Sequence, residues 1–179
     1  MDTVRSGEAQ RAEIVYCGGR FDFDCRDEGY EARAARDYRA VLLGDTGRLL
    51  HGRGPVCLSE RLMYAGPFYF ETDGMLDRDI VETERKQIDQ CTLAVFLLDD
   101  RPCPGTVAEM VYAASAQKKI CIAYIRDERE TESALRSACW YPILLCRSVS
   151  REGIDLIPCD HTAEACGKIL DYLRALRLF

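Results

Sequence analysis

The sequence lacks any apolar run of the roughly 20 residues that a membrane-spanning helix needs. Its first residues, 1–6, also lack the apolar centre of a secretory signal. These two absences predict a cytoplasmic protein that does not contact membranes. The length of 179 residues, with 47% hydrophobic and 30% charged residues, suits one globular domain. We expect a flexible leader at residues 1–12 and one folded domain at residues 13–179.

Metal-binding motifs are lacking as well. The ten cysteines contain no Cys-x-x-Cys pair, and the two histidines, His51 and His161, stand in no metal-ligand spacing. Several cysteines fall within apolar stretches, as Cys121 and Cys146 do. Such cysteines are typical of a reducing compartment, where they pack as small hydrophobic residues. The sequence therefore predicts reduced thiols and no bound metal.

Basic residues are too few to give an excess of positive charge. The chain has 24 Lys and Arg residues and 30 Asp and Glu residues, which gives a net charge of −6. The basic residues are scattered along the chain. This distribution argues against a nucleic-acid polymer as a partner. It leaves a small anionic ligand open, because a few backbone N–H groups and one arginine suffice to bind a phosphate.

Short apolar runs alternate with amphipathic stretches along the chain. Apolar runs predict strands at residues 14–17, 62–65, 93–98 and 120–125. Helical spacing of apolar residues predicts helices at residues 30–43, 76–90 and 106–117. The alternation predicts an α/β fold with one doubly wound, mainly parallel sheet of the Rossmann or flavodoxin type, and with helices on both faces.

Other segments carry weaker patterns. Residues 44–60 contain four glycines and a proline, so we expect a long loop there with at most a short strand at residues 48–50. Toward the C-terminus we expect a polar helical stretch at residues 131–138, an edge strand at 154–157 and a closing helix at 162–176. The Trp-Tyr-Pro segment at 140–142 is interpreted as packing a loop against the core, with pocket closure or an oligomer contact as alternatives.

The residues that follow the predicted strands are the candidates for a functional site, because ligands of open α/β sheets bind beyond the carboxyl ends of the strands. These are residues 16–21, 66–70 and 99–109. They combine aromatic rings, glycines and carboxylates, which suits a small ligand with a flat ring and hydroxyl groups.

Glu109 has two interpretations. Thr106 and Glu109 have the spacing of a capping box, in which each side chain bonds the backbone N–H of the other residue at a helix start. Alternatively, the Pro-Gly step at residues 104–105 brings the helix start close to the sheet, and Glu109 faces the same crevice as Phe21 and Phe68. The residue pattern alone leaves both open.

Two blocks of sequence point to a known family. Residues 16–21 read YCGGRF, and residues 105–113 read GTVAEMVYA, followed by Lys119 and a strand. Within residues 14–125 the chain resembles the nucleoside 2-deoxyribosyltransferase family and its nucleotide N-hydrolase relatives. The resemblance implies cleavage or transfer at the N-glycosidic bond of a (deoxy)nucleoside or its 5′-monophosphate. It further implies that Glu109 is the nucleophile, that a glycosyl-enzyme intermediate forms, and that no metal or organic cofactor is needed.

The resemblance also implies a helper carboxylate on the preceding helix. Counting back eight positions from Thr92 reaches Glu84, on the apolar side of its predicted helix; the alternative is an exposed glutamate paired with a basic neighbour. Asp99, Asp100 and Glu84 are candidates for protonating the leaving base. The candidates for substrate binding are Tyr16, Gly18, Gly19, Arg20, Phe21, Gly66, Phe68, Asp100, Gly105 and Thr106.

Several questions stay open at this level. Cys103 stands where some family members have an aspartate, so the residue that holds the base or the sugar is unassigned. Arg20 suits a 5′-phosphate, which favours hydrolysis, and equally a solvated loop. The turns at residues 18–19 and 65–68 both resemble the opening turn of the family. The resemblance implies a homo-oligomer, and a non-catalytic nucleotide sensor of the same fold is the alternative to an enzyme.

Overall fold

A computed structural model describes residues 12–19, 37–52, 54–68, 76–98, 103–126 and 140–178. The strands in these ranges are β1 (Glu13–Gly19), β2 (Val56–Ser59), β3 (Leu62–Gly66), β4 (Leu93–Leu98), β5 (Lys119–Ile125) and β6 (Ile154–Cys159). The helices are α1 (Tyr38–Leu43), α2 (Thr46–His51), α3 (Asp77–Gln90), α4 (Pro104–Ser115), α5 (Trp140–Val149) and α6 (Thr162–Ala175).

The strands form one sheet in the order β2-β3-β1-β4-β5-β6. Strand β1 pairs in parallel with β3 and β4, and β5 and β6 continue the parallel pairing. Only β2 is antiparallel, against β3. The predicted doubly wound, mainly parallel α/β fold is therefore confirmed. The predicted edge strand is also confirmed, since β6 lies at the edge of the sheet.

Helices cover both faces of the sheet. The alternation of side chains along β1 sends Val15 and Cys17 to the core under α1, α2 and α6, and Tyr16 to the core under α3, α4 and α5. All six residues of β4 are buried, as expected of a central strand that packs on both sides. Tyr16 consequently lies on the same face of the sheet as the helix that carries Glu109.

The expectation for residues 44–60 is wrong. The segment contains helix α2 and strand β2, and the predicted strand at 48–50 lies inside the helix. Asp45 caps α2, because its side chain accepts a hydrogen bond of 2.7 Å from the backbone N–H of Gly47. Leu49 is fully buried and anchors the helix on the core. The many glycines and the proline concealed this short helix in the sequence pattern.

The Trp-Tyr-Pro segment opens helix α5 instead of packing a loop against the core. Trp140 and Tyr141 are 39% and 60% exposed and contact each other edge to face at 5.7 Å, whereas Pro142 is buried. The predicted leader up to residue 11 and the predicted helical stretch at 131–138 lie outside the described residues.

None of the helices in the described ranges is long and apolar enough to cross a membrane. Eight cysteines lie in these ranges and all are free thiols.

Candidate active site

The backbone at the end of β1 lies close to the carboxylate of Glu109. Gly18 lies against the ring of Phe96 on β4, and a Cβ atom at Gly18 would collide with that ring. The same Cβ would lie 3.0 Å from Oε2 of Glu109. The lack of a side chain at position 18 therefore leaves the space that the Glu109 carboxylate needs beside the strand.

Helix α4 holds Glu109 in its second turn, and the predicted capping box is wrong. The helix begins at Pro104, with Cys103 as N-cap, and no side chain bonds the cap. Proline is favoured at the first helical position, and the helix starts three residues earlier than a capping box with Thr106 as N-cap requires. Thr106 is buried within the first turn. Glu109 is thus free of a capping role and directs its carboxylate toward β1.

The environment of Glu109 favours the protonated carboxyl group. Burial and, to a smaller extent, the nearby Glu84 carboxylate raise the pKa of Glu109 from its ordinary value of 4.5 to about 8. The Tyr16 hydroxyl and the distant positive charge of Arg39 act in the opposite direction. Burial disfavours a carboxylate because it removes solvation, and a like charge adds to the effect. The position near a helix start does not make this group a stable anion.

Tyr16 completes the buried side of the site. Its side chain has no exposed surface, and its ring lies 6.1 Å from that of Phe96 at a tilt of 53°. Burial raises the pKa of Tyr16, and the charges of Glu109 and Glu84 raise it further, so the phenol stays protonated. Its hydroxyl makes no full hydrogen bond to any described residue, although it lies close enough to Glu109 to affect that pKa. The protonated phenol is a hydrogen-bond donor that lies near Glu109.

Glu84 is close enough to Glu109 to affect the pKa of that group. It is half-buried on α3, on the side of the helix that carries the buried Ile88 one turn later. Burial raises the pKa of Glu84. The exposed carboxylate of Glu82, on the same helix, instead pairs with Lys86 at 2.8 Å. Glu84 thus lies near Glu109 and Tyr16, whereas Glu82 forms a surface ion pair.

We expect Glu84→Gln to lower the pKa of Glu109, since it removes the like charge and retains the shape of the side chain. Burial is the larger cause, so the pKa should stay above its ordinary value. The measurement is a carboxyl titration by ¹³C NMR of glutamate-labelled protein. Glu82→Gln, on the same helix but exposed, is the matched control and should leave the Glu109 titration unchanged. An equal titration in both variants would contradict the pairing of Glu84 with Glu109.

A buried ion pair underlies the end of β1, and the sequence pattern did not single it out. Asp37 caps α1 and forms a two-point contact with Arg39, with Nε–Oδ1 at 2.7 Å and Nη2–Oδ2 at 2.5 Å. Only 1% of the Arg39 side chain is exposed. The available signal was the placement of Arg39 three and four residues before Leu42 and Leu43, which puts all three on the buried side of the helix.

The second glycine turn lies at the end of β3. Gly66 has a φ of 146°, which favours glycine, and a Cβ there would collide with the side-chain amide of Gln87 on α3. The Oε1 atom of Gln87 is buried and has no hydrogen-bond partner among the described residues. Gly66 therefore borders the helix that carries Glu84, one turn before Gln87.

The structure does not bring every predicted residue to the carboxylates. Phe68 is 2% exposed and packs at 5.1 Å against Tyr64, in the core on the opposite face of the sheet. Gly105 is exposed on the first turn of α4. Gly19 directly follows Gly18 at the end of β1, with a φ of 154°. Four of the predicted site residues lie outside the described residues: Arg20, Phe21, Asp99 and Asp100.

Within the described ranges, no group of three or more His, Cys, Asp or Glu side chains is arranged to hold a metal ion. The fold and the site together define an α/β protein with two carboxyl groups and a tyrosine at the carboxyl edge of a mainly parallel sheet.

Comparisons with known proteins find a similar fold and no matching family. The sequence matches no protein-family profile and no curated protein. The CMP N-glycosidase BcmB of Clostridium botulinum has a similar structure, with 17% identity and a TM-score of 0.50 over 90% of this chain and 100% of that chain. Elongation factor SelB of Methanococcus maripaludis has 13% identity and a TM-score of 0.48 over 94% of this chain and 33% of that chain. The likeness to the N-glycosidase, at 17% identity, shows a shared α/β fold alone.

Proposed function

We propose that this protein cleaves the N-glycosidic bond of a (deoxy)nucleoside or its 5′-monophosphate, with Glu109 as the nucleophile. The observation that carries the proposal is the placement of the Glu109 carboxyl group over Gly18, beside Glu84 and the Tyr16 hydroxyl. A pair of carboxyl groups is typical of glycoside-cleaving sites. The fold shared with a protein described as a CMP N-glycosidase supports the same class of reaction.

The raised pKa of Glu109 accounts for the proton that the reaction needs. In the free protein near neutral pH the pair of Glu84 and Glu109 retains one proton, because the pKa of Glu109 is raised to about 8. The leaving base must accept a proton when its bond to the anomeric carbon breaks. Transfer of the shared proton to the base leaves Glu109 as the carboxylate, which bonds to the anomeric carbon as the base departs. Glu84, itself raised in pKa by burial, passes that proton on.

The second step restores the pair. A water molecule, or an incoming base in a transferase, attacks the anomeric carbon of the glycosyl ester and releases Glu109. The attacking group loses a proton, which the pair of carboxylates regains, so the site returns to its starting charge. Tyr16 lies near Glu109 and stays protonated throughout, since its own pKa is raised, so it remains available as a donor to the carboxylate.

The proposal is tested by chromatographic detection of free base. The substrates are deoxynucleosides, ribonucleosides and the 5′-monophosphates of both, each with and without a second base as acceptor. Free base without acceptor indicates a hydrolase, and a new nucleoside indicates a transferase. Thermal stabilisation by these compounds with no product from any of them would overturn the proposal and support the nucleotide sensor.

We expect kcat/KM for base release to fall as pH rises past about 8, because the pair then loses the proton that the base requires. It should also fall at low pH, when a second proton occupies Glu84. The measurement is a pH profile of kcat/KM, which reports the ionisation of the free protein. A rate that continues to rise well above pH 8 would show that Glu109 acts only as a carboxylate ionised in advance.

A further inference from the structure

The last three carbonyl groups of β1 all contact one dipeptide of α1. The Tyr38 hydroxyl donates to the carbonyl oxygen of Gly18 at 3.0 Å. Nη1 of Arg39 donates to the carbonyl oxygen of Gly19 at 3.2 Å and makes a longer contact of 3.5 Å with that of Cys17. Strand-end carbonyls that lack a sheet partner need such donors when they are buried. The dipeptide therefore holds the backbone against which the Glu109 carboxylate lies.

The charge of Arg39 is retained despite its burial. Burial alone would lower the pKa of Arg39, but the Asp37 carboxylate more than offsets this, so the pKa is raised and the guanidinium stays charged. A buried ion pair of this kind has a high desolvation cost and is weak evidence for a purely stabilising role. Its guanidinium contacts the strand-end carbonyls and has an electrostatic effect on the carboxyl group of Glu109.

We propose that the Asp37–Arg39 ion pair is a positioning element of the active site: it fixes the strand-end backbone Cys17–Gly19 beside Glu109, and its guanidinium biases the charge of the Glu109 carboxyl group. Arg39 acts through the backbone and through its field and does not touch the substrate. Its effect on turnover rests on the proposed function, whereas its effect on the Glu109 carboxyl group does not.

Arg39 is one of several groups that set the charge of Glu109. Tyr16 faces Glu109 from β1, and Glu84 faces it from α3. The guanidinium of Arg39 contributes from α1, on the other face of the sheet, and favours the anion. Among the described residues, the ionisable groups near Arg39 include Asp37, Tyr38, Tyr64 and the thiols of Cys17 and Cys166. Because Asp37 compensates the guanidinium, removing either member of the ion pair changes the field at Glu109 in opposite directions.

The test is the ¹³C carboxyl titration of Glu109 in variants of the full chain, with its resonance assigned by Glu109→Gln. Arg39→Met removes the positive charge and should raise the pKa of Glu109 by about 0.5 to 1 unit. Asp37→Asn removes a negative charge beside Arg39 and retains an N-cap side chain, so it should lower the pKa of Glu109. Arg39→Lys retains the charge and should remain near the wild-type value.

Opposite changes in the pKa of Glu109 in the two variants distinguish an electrostatic effect of the ion pair from an effect of loosened packing. Disorder around the ion pair would admit water and lower the pKa of Glu109 in both variants. A fall, or no change, in the pKa of Glu109 in Arg39→Met would therefore overturn the inference that the guanidinium biases the charge of Glu109. If Arg39→Met does not fold, Arg39→Gln retains an amide donor for the strand-end carbonyls and loses the charge, with the same expected rise. The titration needs no substrate, so it can succeed even if no nucleoside or nucleotide is cleaved.

The kinetic readout is a split between kcat and KM. Since Arg39 does not touch the substrate, its variants should change kcat and the alkaline limb of the pH profile, with KM within about two-fold of wild type. A change confined to KM would contradict a positioning role.

Discussion

Glu109→Gln is expected to lower kcat/KM for base release by about 10³-fold or more, since it removes the atom that bonds to the anomeric carbon. Glutamine retains the shape of the side chain beside Gly18 and cannot form the glycosyl ester. The chromatographic assay of free base measures the loss. Glu152→Gln is the control, because Glu152 is exposed and lies in the turn before β6. Activity of Glu109→Gln close to that of wild type would remove Glu109 from the reaction.

The same variant should be more stable than wild type at alkaline pH. The pKa of Glu109 is raised in the folded state, so the stability that its protonated form contributes is fully present below about pH 4.5. This contribution falls progressively as pH rises from there through about 8. Glutamine carries no charge at any pH and avoids that loss. We expect equal free energies of unfolding at pH 4 and a higher value for the variant at pH 9, measured by urea denaturation. Loss of activity together with this gain separates chemistry from folding.

The sheet could be predicted because its strands are continuous apolar runs with clear boundaries. Residues 93–98 of the prediction coincide with β4, since a strand buried on both faces has no polar positions to blur its ends. Glu109 and Glu84 were predicted through the resemblance; Glu109 lies beside the end of β1, and Glu84 is close enough to affect its pKa. The resemblance does not reveal the charge state of these residues, which depends on burial.

The parts that escaped prediction depend on tertiary contacts. Helix α2 is six residues long, too short for periodicity to outweigh its glycine-rich surroundings, and its N-cap becomes meaningful only once Leu49 is known to be buried. Arg39 looks like a surface residue in a list of charges. Its burial is tolerated because Asp37 and two backbone carbonyls satisfy the guanidinium, and these partners come from different elements. The capping-box pattern failed because a proline begins the helix earlier.

Gly18→Ala is expected to reduce both stability and activity, because one methyl group at this position meets the ring of Phe96 and the Glu109 carboxylate. Overpacking of a close contact typically costs about 1–3 kcal/mol. Displacement of the carboxylate by even a fraction of an ångström disturbs the alignment with the anomeric carbon, so kcat should fall by about 10-fold or more. The measurements are the free energy of unfolding and kcat for base release.

Two further variants identify which contact is responsible. Gly167→Ala is the control: Gly167 lies on helix α6 with open space around its Cα, so alanine should leave activity unchanged and stabilise the helix slightly. Adding Phe96→Ala to Gly18→Ala removes the clash with the ring and should recover part of the stability relative to the sum of the two single variants. Activity should stay low in the double variant, because the new methyl group still lies against the carboxylate. Recovery of both would mean that the ring alone excludes a side chain at position 18, and that Glu109 does not need the space over the strand end.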